Sequence, residues 1–425
     1  MEQVLENRRP IDLSAQKVLY WTTLLYTVCI YGPMAMMSIG AAFLGVMLFV
    51  LFGSEYKKQL KKFSKNPFVI PTLWLSIACI ASLFWAHFSN LEFYGKKPEV
   101  HWLKDSAKIW HILYLFLLAP IFSKLSDRQI RSILLLWLVL GFLSAVLGIV
   151  QHYVPIYQPL PLPDVGLIGY FHATGMTGFH LSYATIIGFP TAVWFASAAM
   201  LCRHEKLSKR TLTVFLVCSI FFIAHIFTYS KINWIAIPLT ILLIAFLGFQ
   251  SWIRWGIFII VIAFGIIWGT SKEVQLRFRG TDSIKERVEV WSANIEMIKQ
   301  HPILGVGWHK NSELSYGYYD HMKMHGFSSH AHNNILDQWA TTGLFGLIPY
   351  LWWCFVCMWL GWQLYRSKAK GLVRAFGLGV VGGWFCLHLN GLTQTNFWDA
   401  KILHQVTWVA AFTMELYRRN VSAKQ

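Results

Sequence analysis

His330-Ala-His332-Asn333 opens an apolar stretch in which Gly343 and Gly346 stand three residues apart. A neutral imidazole near pH 7 can take a proton from a hydroxyl. A helix beginning at Asn333 would set His332 at its N-terminal mouth. There the positive end of the backbone dipoles disfavours the imidazolium and keeps the ring neutral. Upstream, Arg277, Arg279 and Arg287 fall within eleven residues, with Lys272 and Lys285 nearby. Guanidinium forks match phosphate oxygens bidentately and stay charged at any working pH. The same residues would also suit snorkelling to lipid headgroups, and composition leaves both uses open.

The other candidates are weaker. His321 and His325 are four apart and His330 and His332 two apart, but no His-Glu-x-x-His occurs, so a metal site is the lesser reading. His309 and His321 fit solvated surface positions. Cys354-x-x-Cys357 lies inside an apolar run and reads as small apolar filler rather than a redox pair. None of the seven cysteines lies in the long polar loop, so no disulfide framework is expected.

The elements that must hold these residues are membrane helices. Of 425 residues, 56% are hydrophobic and 13% charged, with mean hydropathy +0.46. A soluble domain carries about a quarter charged residues. A net charge of +17 is therefore no nucleic-acid signal until it is sorted by loop. Met1–Lys17 is polar with no small-residue cleavage site, so no cleavable leader is expected. Twelve apolar runs qualify or nearly qualify as spans, near 18–31, 34–52, 68–88, 106–122, 132–152, 178–201, 211–228, 232–249, 255–270, 333–364, 375–391 and 402–417.

Basic clusters such as Lys57–Lys65, Arg203–Arg210 and Arg366–Arg374 place both termini in the cytoplasm and the long loop outside. The division is then 1–270 with nine transmembrane helices, a 271–332 outer loop domain, and 333–425 with the last three helices and a cytoplasmic tail. Within the loop, Val288, Trp291, Ile295 and Ile298 recur at helical spacing, predicting a helix over 286–300 with that stripe on the bundle or the membrane surface. Pro302, Gly305 and Gly307 end it. Residues 153–177 read as a Pro- and Gly-rich connector, and Thr228–Lys231 as a tight outer turn.

His332-Asn333, nine residues, then Gly343-x-x-Gly346 resembles the signature of the bacterial O-antigen ligases, within the O-antigen ligase/polymerase family. Arg287-Val-Glu-Val-Trp291 followed by His301-Pro-x-x-Gly-x-Gly307 is similar to that family's loop helix. The resemblance covers roughly 225–350; elsewhere only helix number and topology agree. It departs in one place: the family often has Ser-Arg in an outer turn where this chain has Ser230-Lys231, which keeps the charge and loses the fork.

The resemblance implies an all-α polytopic fold of the GT-C type in the bacterial inner membrane, with its active site in the periplasm. It implies inverting glycan transfer without a metal or other cofactor. The donor would be O-antigen on undecaprenyl pyrophosphate and the acceptor a sugar hydroxyl of lipid A–core. His332 would be the base, with Arg287, Arg279, Arg277 and Lys231 on the pyrophosphate and Asn333 and His330 orienting. Within the family, a polymerase or a protein O-oligosaccharyltransferase would differ only in acceptor.

A glycolipid transporter or flippase is the rival from another class. It would need ionisable residues at mid-membrane, where His225 and His388 are the candidates, with Asp337 and Asp399 nearer the outer face. Lone histidines in spans more often hydrogen-bond between helices.

Overall fold

In hydrocarbon a backbone must satisfy its own polar groups, and every one of the twelve apolar runs is helical. The computed structural model describes residues 13–63, 66–162, 169–204, 208–279, 282–324 and 330–422. Among them run Leu13–Cys29, Met34–Phe63, Val69–Phe88, a broken series from Trp102 to Lys124, Asp127–Tyr153, His180–His204, Lys209–Ile226, Asn233–Gly248, Ser251–Gly269, Asn334–Arg366, Gly371–Asn390 and Ala400–Asn420. Three further helices, Lys272–Arg279, Asp282–Gln300 and Asn311–Met322, occupy the polar stretch. Among the described residues eight helices are long and apolar enough to cross a membrane, and Asn233–Gly248 and Ile253–Gly269 are shorter apolar ones. The protein is an all-α, multi-pass membrane protein.

Local chemistry sets the helix starts. Ser126 and Gln129 form a reciprocal capping box, the Gln129 amide donating to Ser126 Oγ at 3.3 Å and the Ser126 amide to Gln129 Oε1 at 2.9 Å. Packing then sorts the faces. Small residues let backbones approach where no water drives association: a Cβ at Gly379 would sit 2.5 Å from the Val193 backbone, so Gly371–Asn390 and His180–His204 lie nearly in backbone contact. The centre is filled by Trp137, Trp353, Trp384 and Trp408, with Trp137 stacked on Trp408 at 5.1 Å. Ser251–Gly269 turns Trp255, Ile259, Ile260, Ile266 and Ile267 outward, as a lipid-facing helix would.

One end of the bundle gathers the polar loops. Trp308 N–H donates to Ser82 Oγ at 3.1 Å, tying the 301–310 segment to Val69–Phe88. Lys310 Nζ lies 2.8 Å from Asp105, both side chains nearly buried, and also donates to the Glu99 carbonyl. Residues 169–179 are more than a connector. His172, Ala173, Thr174 and Thr177 are buried, and Ala173 N–H donates to the Phe227 carbonyl at 2.8 Å. Residues 163–168 lie outside the described residues.

On Asp282–Gln300 the predicted stripe divides. The buried face of the helix is Val290, Ala293, Asn294, Met297 and Ile298, whereas Val288 and Ile295 are exposed. Ala293 is small enough to bring the helix against Tyr319, and Asn294 Oδ1 accepts from Asn311 Nδ2 at 2.8 Å. A polar contact and a close approach therefore choose the face that apolar periodicity alone assigned only in part.

Candidate active site

The frame of the site is a helix that opens to admit a loop. Gly343 in Asn334–Arg366 has φ +63° and ψ −168°, a conformation essentially reserved for glycine. In a continuous helix the amides of Leu344 and Phe345 would donate to the carbonyls of Ala340 and Thr341. They donate instead to Pro302 and Ile303, at 2.8 and 3.1 Å. The carbonyls of Ala340 and Thr341 accept from Val306 and Gly307, at 2.9 and 3.1 Å. Two intrahelical bonds are thus replaced by four bonds to the loop. The approach is close on both sides: a Cβ at Gly343 would meet the Ile303 carbonyl at 2.1 Å, and one at Gly305 the Thr341 carbonyl carbon at 2.5 Å. This docking fixes where the Asp282–Gln300 helix ends relative to the start of the kinked helix.

At that start Asn333 is the N-cap. Its Oδ1 accepts from the amides of Ile335 and Leu336 at 2.9 and 3.1 Å, and its Nδ2 donates to the Leu392 carbonyl at 3.2 Å. Its oxygen is committed to the helix, so Asn333 orients its neighbour by holding the backbone. Asn334 anchors the turn from the other side, accepting from the amides of Asn396 and Phe397. Buried Asp337 accepts from the Ala331 amide at 3.1 Å and from Asn311 Nδ2 at 2.9 Å, fixing the residue between the two histidines.

His332 stands just before the cap in the left-handed region, φ +47°, its ring half-buried and 4.6 Å from that of His330. Burial first, then the His330 ring and the Arg287 guanidinium, hold the His332 imidazole down at about 4. Arg287, half-buried on the second turn of Asp282–Gln300, is therefore near enough to act on His332 through its charge. The arrangement is a neutral imidazole beside a fixed cation, able to accept a proton next to an anion.

The remaining candidates sort differently. Lys231 Nζ lies 5.8 Å from the centre of the Phe278 ring, which puts the 227–232 turn against Lys272–Arg279. Arg277 and Arg279 are on that helix, and their side chains lie outside what is described. His325 lies outside the described residues. His321 is exposed, as expected, and packs on Tyr94 at 4.8 Å.

His309 is not the surface residue its position suggested. Its ring is enclosed between Trp308 at 4.6 Å and Trp398 at 6.3 Å, and its Nε2 is occluded with no hydrogen-bond partner among the described residues. Burial, then Lys108, His330 and Lys310, push its imidazole down to about 3. His309 and Lys108 are thus additions that sequence reasoning missed. A histidine directly after the apolar Leu304–Trp308 stretch was the available signal; for Lys108, just over two hundred residues away, there was none.

The mid-membrane candidates are committed to packing. His225 bonds Thr191 Oγ1 at 3.0 Å and Asn233 Nδ2 at 2.9 Å, and His388 Nδ1 bonds the Trp384 carbonyl of its own helix at 2.8 Å. Asp399 caps Ala400–Asn420 through the Lys401 amide and also accepts from Ser182. All seven cysteines are free, and Cys354 and Cys357 are buried among apolar residues. Among the described residues no group of three or more His, Cys, Asp or Glu gathers as a metal cage.

A family model described as O-antigen ligase matches residues 214–351. This segment is similar to the O-antigen ligase family. No curated protein matches the chain. The matched segment contains Lys231, Arg277, Arg279, Arg287, His309, His330, His332 and Asn333, and both partners of the loop-in-helix joint at Gly343. The family points to ligase- or polymerase-type activity on glycan and lipid substrates. Lys108 and the cap partner Leu392 lie beyond the matched segment, so the rest of the bundle also contributes to the site.

Proposed function

We propose that the protein is an inverting glycosyltransferase of GT-C type that moves O-antigen from undecaprenyl pyrophosphate to a sugar hydroxyl of lipid A–core. It works at the periplasmic face of the bacterial inner membrane, with both termini cytoplasmic. One observation carries the reading: a half-buried imidazole, kept neutral by burial and by adjacent cationic and imidazole groups, at a helix mouth inside the matched segment.

In this mechanism His332 takes the proton of the acceptor hydroxyl as its oxygen attacks the anomeric carbon from the face opposite the diphosphate. The bond to the diphosphate breaks with its electron pair, and Arg287, with Arg279, Arg277 and Lys231 along the loop helices, receives the growing charge. No metal or cofactor is required, because these fixed cations supply that stabilisation. The kinked helix and its docked loop hold base and cation in one frame, and Asn333 and His330 orient the ring. The satisfied packing of His225 and His388 favours this reading over a transporter.

The pH dependence follows from His332. Its lowered value means that the neutral form prevails above about 4 and is lost as pH falls through that point. We expect kcat/KM to stay flat from pH 8 down to 5, where an unperturbed imidazole would already be failing near ~6.5. A bound diphosphate brings negative charge and favours the imidazolium, so the acid limb of kcat should lie at higher pH than that of kcat/KM. Arg287→Gln should move the kcat/KM limb upward. Rate profiles of the wild type and Arg287→Gln check this, and an acid limb at the ordinary histidine value in the wild type would show that burial and Arg287 do not hold the His332 ring neutral.

Arg287→Lys keeps the charge and loses the planar fork. It should weaken transfer by roughly tenfold, the size of one charge-assisted hydrogen bond, and leave the acid limb in place. Unaltered donor use would make Arg287 a headgroup contact. The reading as a whole is tested by offering purified protein a lipid-pyrophosphate glycan with lipid A–core, with a second glycan lipid or with a peptide. Extension of lipid A–core is expected; extension of one of the others alone would make the protein a polymerase or a protein glycosyltransferase.

A further inference from the structure

His309 differs from four of the histidines packed into this fold. His152 bonds the Phe171 carbonyl, His172 the Thr228 carbonyl, His225 two side chains and His388 the Trp384 carbonyl. His309 holds its Nε2 away from solvent without a partner. It also adopts φ +59°, unfavourable for a residue with a Cβ. An occluded polar atom lacking its hydrogen bond destabilises the fold, and so does left-handed backbone at a non-glycine. Both are unexplained by packing in the free protein, and both would be offset by a bound molecule that meets Nε2.

Its place in the site says which molecule. Arg287 and His330 both act on His332, and His330 also acts on His309, as does Lys108. The His330 and His332 rings lie 4.6 Å apart. His330 is thus shared by the two histidines, with Arg287 on the His332 side and Lys108 and Lys310 on the His309 side. Trp398, which flanks His309, follows Phe397, whose amide donates to Asn334 Oδ1 at 3.1 Å in the turn that carries His332. The donor diphosphate belongs at the Arg287 end. The far end, walled by Trp308 and Trp398 and faced by the exposed Lys108, is left for the molecule that brings the nucleophile.

We propose that His309 is an acceptor-binding residue: its Nε2 forms a hydrogen bond with an oxygen of the acceptor sugar, while Lys108 beside it faces an acidic substituent of that sugar, such as a phosphate. This rests on the transfer reaction proposed above and adds the acceptor's place in it. His332 then lies between the two substrates, as an in-line displacement needs. Neutral His309 offers one hydrogen bond without adding charge next to the base.

The test uses the full chain in detergent, with lipid A–core as acceptor and a lipid-pyrophosphate glycan as donor. His309→Phe fills the volume and removes the polar atom; His309→Gln keeps a side-chain amide. We expect His309→Phe to raise the acceptor KM and the acceptor Kd from equilibrium titration about three- to tenfold, the value of one neutral hydrogen bond. The donor KM should be unchanged, the Tm not lowered, and His309→Gln should recover part of the acceptor affinity. Unchanged acceptor affinity in His309→Phe overturns the proposal. So does a rise in donor KM instead, which would move His309 to the donor side, or a lowered Tm in both variants with acceptor affinity intact, which would make it structural. The titration separates this from failure of the reaction itself. A wild type that binds lipid A–core but transfers nothing to it sinks the reaction and leaves His309 readable. A wild type that does not bind lipid A–core overturns both.

Discussion

His332→Ala should abolish glycan transfer to lipid A–core while the protein still folds and inserts. A positioned base is worth about 10²–10⁴ in rate, or ~3–5 kcal/mol of barrier. Among the described residues no neighbour is placed to replace it. His330 is 4.6 Å away ring to ring and part of what keeps His332 neutral, and Asn333 has its oxygen committed to the helix amides. The structural cost should be small, because the ring is half-buried at the lip of the site and the backbone bonds of the turn come from Ala331, Asn333 and Asn334. Alanine keeps the φ +47° backbone that histidine already holds, so little new backbone strain is added. Glycan-capped lipopolysaccharide on a gel, read beside the Tm of the purified variant, decides the matter. A normal ladder would end the base assignment, and a collapsed Tm would turn it into a structural one.

Gly343→Ala should have the second largest effect, on stability and activity together, although this residue touches no substrate. The new Cβ would stand 2.1 Å from the Ile303 carbonyl, against main chain that has no rotamer by which to yield. The backbone at φ +63°, ψ −168° is itself unfavourable for alanine by about 1–3 kcal/mol. Relief requires the 302–307 segment to leave the kink, and the four backbone bonds it makes there are worth about 1 kcal/mol each. A loss of roughly 3–5 kcal/mol is expected. The helix would then close on itself, and Arg287 would lose its fixed distance from His332. Gly346→Ala is the control. Its Cβ would meet side-chain atoms, Thr342 Oγ1 at 2.0 Å and Thr342 Cβ at 2.4 Å, rather than another segment's main chain, so a smaller drop in Tm than for Gly343→Ala is expected. Equal tolerance of both substitutions would show that the loop-in-helix joint does not hold the site.

Much of this was legible in the chain. Apolar runs bounded by basic clusters name their own helices, since the hydrogen bonds of a helix are local and a run of about 20 apolar residues is long enough to span hydrocarbon. The mouth position of His332 was also readable, because Asn333 is an N-cap by residue type and the cap involves only its next three residues. Gly343 announced a close approach but not its partner. The buried face of Asp282–Gln300 was only partly legible: of the stripe Ile298 is buried while Val288 and Ile295 are exposed, and the contact is made by Ala293, which is small, and Asn294, which bonds Asn311. His309 was misread as surface because the enclosing rings come from Trp308 beside it and from Trp398, far along the chain.

The sequence by itself determined the helices, the mouth of the kinked one and the kinds of group available there: imidazole, guanidinium and a glycine hinge. Only the tertiary structure decided which of them share a site. A proton acceptor's state depends on burial and on the charges within a few ångströms, and those distances are set by the 302–307 loop entering the helix at Gly343. Arg287 and His332 are forty-five residues apart in the chain, and that joint, together with the Asn294–Asn311–Asp337 bonds, brings one under the field of the other.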